Sequence, residues 1–189
     1  MATMTEEINL TDIPDLSALS GNNEGSNSWQ DGWYAATILQ SRSFTDRNGN
    51  DRVFDSTDAP SANGDSRNIR LQVEVRRSDG QKLYTGSLVN YRHDDLQSPT
   101  VQAVIADNAK AQDDQDPSLT RARLTLARLS KLQKIAGVRN FARNGEGGLN
   151  INAVFGKQCF VRLGEDKRNP QYKEIKDLRA FSDTPKKVL

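Results

Sequence analysis

The chain has 189 residues, of which 35 % are hydrophobic and 27 % charged, and a formal net charge of only +1. That length suits one domain with appendages, and the low apolar content leaves part of the chain outside a core. No apolar run approaches the roughly 18 residues of a membrane span, no leader pattern opens the sequence, and the lone Cys159 excludes an internal disulfide; a cytoplasmic protein without a membrane partner is the expectation.

Charge is sorted along the chain. Residues 1–31 carry Glu6, Glu7, Asp12, Asp15, Glu24 and Asp31 and no Lys or Arg, so the rest must carry +7 for the whole to reach +1. Residues 118–143 hold seven Lys and Arg without a carboxylate. An acidic arm beside a basic body points to a polyanionic partner, with the arm competing for the same surface. The arm, 1–31, ends in a Gly/Ser/Asn-rich linker; Ile8, Leu10, Ile13, Leu16 and Leu19 give it a sticky patch that Pro14 keeps from being one helix.

Ordered structure is expected from Gly32, the start of a domain over 32–181 that leaves 182–189 as a short basic tail. Gly32 to Ser41, aromatic and β-branched, reads as a first strand. A long loop follows, from Thr45 through the turn formers around Gly49 to about Asn68. Asn68 to Arg76 alternates, Ile69, Leu71, Val73 and Val75 against Arg70, Gln72, Glu74 and Arg76, which is a half-buried strand. Ser78-Asp79-Gly80 turns the chain into a third strand, Lys82 to Tyr91. After an acidic stretch, Ser118 reads as an N-cap and Leu119 to Ala136 as a helix. Its buried face would be Leu119, Ala122, Leu126, Leu129 and Ala136, with Leu132 at the margin and Gly137 as its stop. Asn144 to Gly148 reads as a loose connector, Val154 to Leu163 as strand four and Tyr172 to Phe181 as strand five, joined by a charged loop. Three strands, one principal helix and two strands is the element order of the OB-fold, a five-stranded Greek-key barrel, with a split α+β sheet as the competing arrangement.

Catalysis finds little material. Cys159 lies in an apolar strand and reads as a core thiol, and the single His93 lies in a polar surface stretch. Asp46 to Asp51 lacks the spacing of a calcium loop, and no cofactor or metal motif is present. A non-enzymatic protein is expected, with no cofactor.

Gly32-Trp33-Tyr34 after an acidic arm, Thr45 with Gly49, Lys134-Ile135-Ala136-Gly137-Val138, Phe155-Gly156-Lys157 and Tyr172-Lys173-Glu174-Ile175 together make the chain similar to phage-encoded single-stranded-DNA-binding proteins of the OB-fold type. The resemblance implies a protein that coats exposed strands in replication or recombination, by phosphate contact and base stacking, with DNA or RNA as ligand. In that fold the ligand crosses strands two and three between two clamping loops. The positions so implied are Phe44, Arg47, Arg52 and Phe54 in the first loop, Arg70 and Arg76 on strand two, Tyr84 on strand three, and Lys167, Arg168 and Tyr172 at the second clamp. Replication or recombination proteins recruited by the arm, and a second copy of the chain, are the expected protein partners. The competing function is a structural or adaptor protein, a virion or decoration component, using a small barrel as an interaction module.

Overall fold

Tyr34, Ala36 and Ile38 point to one side of the first strand and are buried, whereas Trp33, Ala35, Thr37 and Leu39 on the other side are half-buried. This alternation sets the inner and outer faces of the whole sheet. The computed structural model describes residues 29–46, 48–64, 66–92, 117–168 and 172–189, with 117–122 described by backbone alone. The arm up to residue 28, Arg47, His93 and the acidic stretch before the helix lie outside the described residues.

The elements are β1 (Gly32–Leu39), β2 (Ser41–Thr45), β3 (Asp51–Asp55), β4 (Thr57–Pro60), β5 (Arg67–Arg76), β6 (Lys82–Tyr91), helix α1 (Pro117–Ala136), β7 (Gln158–Glu165) and β8 (Lys173–Ala180). They form a six-stranded and a two-stranded sheet. In the larger sheet β1 lies between β5 and β7, all antiparallel, with β8 outside β7 and β6 outside β5. Since β6 occupies one edge of β5 from Arg67 to Arg76, β1 and β4 must share the other; β1 takes residues 72–76 and β4 residues 67–70.

The core lies between the inner face and α1. Ile69, Leu71, Val73 and Val75 of β5 meet Val154, Val161, Leu163 and the helical Leu129, Leu132, Ile135 and Ala136. The helix stripe centres on Leu132, fully buried, rather than leaving it at the margin, and Leu126 is only partly buried. Helix geometry starts at Pro117, so Ser118 lies within the first turn instead of capping it; proline suits that position because its missing N–H needs no partner there. At the other end Gly137 adopts φ +73°, Val138 N–H donates to the Gln133 carbonyl and Gly137 N–H to that of Lys134, a Schellman stop.

Two sequence expectations are corrected here. The stretch from Thr45 to Asn68 is not one loop: β2 and β3 pair from Ser41↔Asp55 to Thr45↔Asp51, and β4 follows. Asp46 nucleates the turn, its carboxylate accepting from the N–H of Asn48 and Asn50, while Gly49 takes φ +79°. Nor is the fold a five-stranded OB barrel. The outermost strands β6 and β8 share no ladder among the described residues, and the sheet stays open. Side chains of α1 pack against both, and a cleft of about 260 Å³ lined by Leu88, Leu124, Arg128, Lys131 and Ile175 occupies the gap where closure would require backbone pairing.

Candidate binding cleft

The β2–β3 hairpin places Arg42, Phe44, Arg52 and Phe54 on one face, because register partners share a side of a sheet and i, i+2 residues repeat it. That face folds towards the polar outer face of β5 and β6. Phe44 and Phe54 stack at 4.8 Å, and the Arg42 guanidinium lies 4.4 Å from the Tyr84 ring centroid and 5.8 Å from that of Phe44. Arg42 is only 7 % exposed and its Nη1 has no hydrogen-bond partner. Burial lowers its pKa, partly offset by the Tyr84 hydroxyl.

Beside Tyr84, Glu74 accepts hydrogen bonds from Arg76 Nε at 2.6 Å, Lys82 Nζ at 3.1 Å and the Tyr84 hydroxyl at 2.9 Å. Burial alone would raise its pKa, but these three donors outweigh it and hold the carboxyl below the ordinary glutamate value. Tyr84 moves the opposite way, raised by burial and then by the Glu74 charge.

Past the hairpin a cleft of about 780 Å³ runs along β3 and β4. One wall is residues 53–59; the other is residues 144–146 and 149–152; Arg70 and Gln72 also line it. A cleft facing one side of a strand would be lined by alternate residues, since side chains alternate. Here seven consecutive residues, from the end of β3 through Ser56 into β4, line it. Val53 is 54 % exposed at its mouth, while Phe54 and Ile151 are buried in its walls.

The walls are held firmly. Ser56 Oγ donates to the Leu39 carbonyl at 2.6 Å and accepts from Gln72 N–H at 2.7 Å, stitching the end of β1 to the start of β4. Across the cleft, Asn144 Oδ1 accepts from the N–H groups of Glu146 and Gly148, making a tight turn. One end is closed by Asp58 and Arg67. The Asp58 carboxylate, with no solvent exposure, accepts from Arg67 Nε at 2.8 Å, Leu149 N–H at 2.7 Å and the Tyr91 hydroxyl. Arg67 also donates to the carbonyls of Asp58 and Glu146, so both walls meet on one guanidinium. Burial opposes its charge, yet the Asp58 pair prevails and raises its pKa; Tyr91 is raised by burial and then by the same carboxylate.

The residues expected to bind a ligand separate into groups. Phe54 and Arg70 line the cleft, Phe44 stacks on Phe54, Arg52 pairs with Asp46 at 3.1 Å, and Tyr84 joins through Arg42. Arg76 is tied to Glu74 on the outer face. Lys167, Arg168 and Tyr172 lie on the β7–β8 loop, and Lys167 lines a hollow with Asp31 and Gly32, where β1 begins. The hairpin follows the opposite end of β1, about 23 Å away at ~3.3 Å per residue. Arg47 lies outside the described residues. Sequence reasoning missed Arg42, Asp58 and the Asn144–Asn152 wall; only the repeated Arg-x-Phe of Arg42/Phe44 and Arg52/Phe54 flanking Asn48-Gly49 hinted at a two-sided hairpin.

Elsewhere, Cys159 is fully buried and burial raises its thiol pKa to about 12. Among the described residues no three His, Cys, Asp or Glu side chains are grouped to hold a metal ion, and no helix is long and apolar enough to cross a membrane.

No protein-family model matches this chain, and no curated protein matches it either. The resemblance to phage single-stranded-DNA-binding proteins therefore has neither a sequence match nor a closed barrel behind it. The strand-coating role in replication or recombination falls with that architecture, and so does the reading of a small barrel as adaptor or virion component.

Proposed function

We propose that the chain is a non-catalytic interaction module that binds an extended polypeptide segment along the edge of residues 53–59. One observation carries the reading: consecutive residues, not alternate ones, line the cleft, an arrangement that suits main-chain contact alongside pockets for side chains. Strand addition uses that combination, backbone bonds for affinity and alternate pockets for selectivity. The segment favoured would alternate apolar side chains, for Val53, Phe54, Leu149 and Ile151, with neutral or cationic ones, because Asp55 and Glu146 outnumber Arg70 at the walls.

A displayed library of random peptides tests this. Enriched peptides should slow hydrogen exchange at residues 53–59, and Val53→Lys, at an exposed position, should weaken them at least about tenfold with thermal stability unchanged. Enrichment that leaves exchange at residues 53–59 unaltered, or binding confined to sugars or nucleotides, overturns the reading.

A further inference from the structure

The outer face of the sheet carries a second surface, independent of the cleft. Register places Lys82, Arg76, Ala35, Phe160 and Arg179 on one rung across five strands, and Arg162 opposite Trp33 on the next. Adjacent strands lie ~4.8 Å apart, so the rung is about 19 Å long. The only carboxylate on β5 between these cations is Glu74, already engaged by Arg76 and Lys82; Asp177 of β8 is held by Lys131 at 2.5 Å. The face thus keeps excess positive charge. Within it lie two flat rings: Trp33, covered by Arg179 at 4.3 Å, and Phe181, 49 % exposed and stacked on Phe160 at 4.9 Å.

We propose that this face is the docking surface for the chain's own acidic segment, residues 1–28, in cis. Charge is complementary: the segment carries Glu6, Glu7, Asp12, Asp15 and Glu24 and no cation, with Ile8, Leu10, Ile13, Leu16 and Leu19 to cover rings. The segment joins the described chain at Trp29, which packs on the inner side against Tyr34 at 5.1 Å with Arg77 5.5 Å from its ring, so it must round the end of β1 to reach the outer face. Six extended residues span about 20 Å, so a segment this long crosses the face easily. The cleft is the wrong host for it, since Asp55 and Glu146 would repel it.

The 189-residue chain allows two tests. A zero-length reagent that couples carboxylates to amines should join acids between Glu6 and Glu24 to Lys82 within one molecule. Yield should fall about tenfold or more from 0.05 to 1 M salt, where the screening length shrinks from over 10 to about 3 Å. In parallel, the variant Glu6→Gln, Glu7→Gln, Asp12→Asn, Asp15→Asn, Glu24→Gln should raise iodide quenching of tryptophan fluorescence about twofold or more, because an anion then reaches Trp33 on an uncovered cationic face. Trp29, 6 % exposed, contributes little to that signal. Couplings that avoid Lys82, couplings between differently labelled chains in an isotope mixture, or equal quenching in both proteins would each overturn the proposal.

Discussion

Arg67 and Arg42 are both withdrawn from water, and they are accommodated in opposite ways. Arg67, at the closed end of the cleft, is bound to the Asp58 carboxylate and two carbonyls, and its charge is reinforced. Arg42, under the hairpin, meets aromatic faces and no carboxylate, and its charge is weakened. The first arrangement is directional and joins β4, β5, β6 and the 144–149 turn at one point. The second is diffuse: ring faces attract a cation without fixing it, worth up to ~2 kcal/mol when dry. Cleft geometry thus depends on the paired arginine, while the hairpin rests on the sheet through softer contacts.

The largest effect should come from breaking the paired site. Asp58→Ala leaves a buried guanidinium, a tyrosine hydroxyl and a main-chain N–H without their acceptor; loss of a buried charge partner costs about 3–5 kcal/mol. Urea unfolding measures it, and a cost below ~1 kcal/mol would mean that the two arginines are not different in kind.

Glu74 is the intermediate case, a carboxylate with three donors beside the Arg42–Tyr84 contact. Because its folded pKa lies below the unfolded value of 4.5, its stabilisation is present above that value and disappears as pH falls through the folded pKa. Glu74→Gln should cost about 2 kcal/mol at neutral pH and nothing once Glu74 of the parent is protonated. Melting temperatures of the pair should converge as pH falls below 4.5 and through the folded pKa; parallel curves down to pH 2 would remove Glu74 from the account.

The smallest effect should be Arg42→Met, which gives up the ring contacts but relieves a buried cation with an unpartnered nitrogen. The two nearly cancel, so stability should stay within about 1 kcal/mol of the parent or rise. A cost matching that of Asp58→Ala would show a carboxylate-like partner for Arg42.

Much of the sheet was legible because its apolar side chains keep to one side, although on β5 the polar Gln72 and Glu74 of the other side are buried as well. Asn68 to Arg76 alternates so cleanly that β5 and its inner residues could be read directly, and Ser78-Asp79-Gly80 marked the turn into β6. The β2–β3 hairpin was hidden because its outward residues, Val53 apart, are Ser, Thr and Asp, which resemble a loop, and because Arg42 occupies a buried position that patterning assigns to apolar side chains. Closure was illegible for another reason. Element order names the strands but not whether the third and the last exchange backbone bonds, and here a cleft lined by both strands and the helix lies in the gap. Of the cleft, Phe54 and Arg70 could be nominated from composition. Asp58 could not, since one carboxylate in a polar stretch gives no sign that Arg67, Tyr91 and Leu149 converge on it.

Gly148 shows how far that convergence reaches. A β-carbon added there would come within 2.7 Å of the Arg67 guanidinium carbon. An arginine tip ordinarily swings aside at little cost, but this one is clamped on Asp58. Gly148 and Asp58 therefore act as one unit: a methyl group at the first pushes on the guanidinium that the second holds, and through it on the shape of the groove.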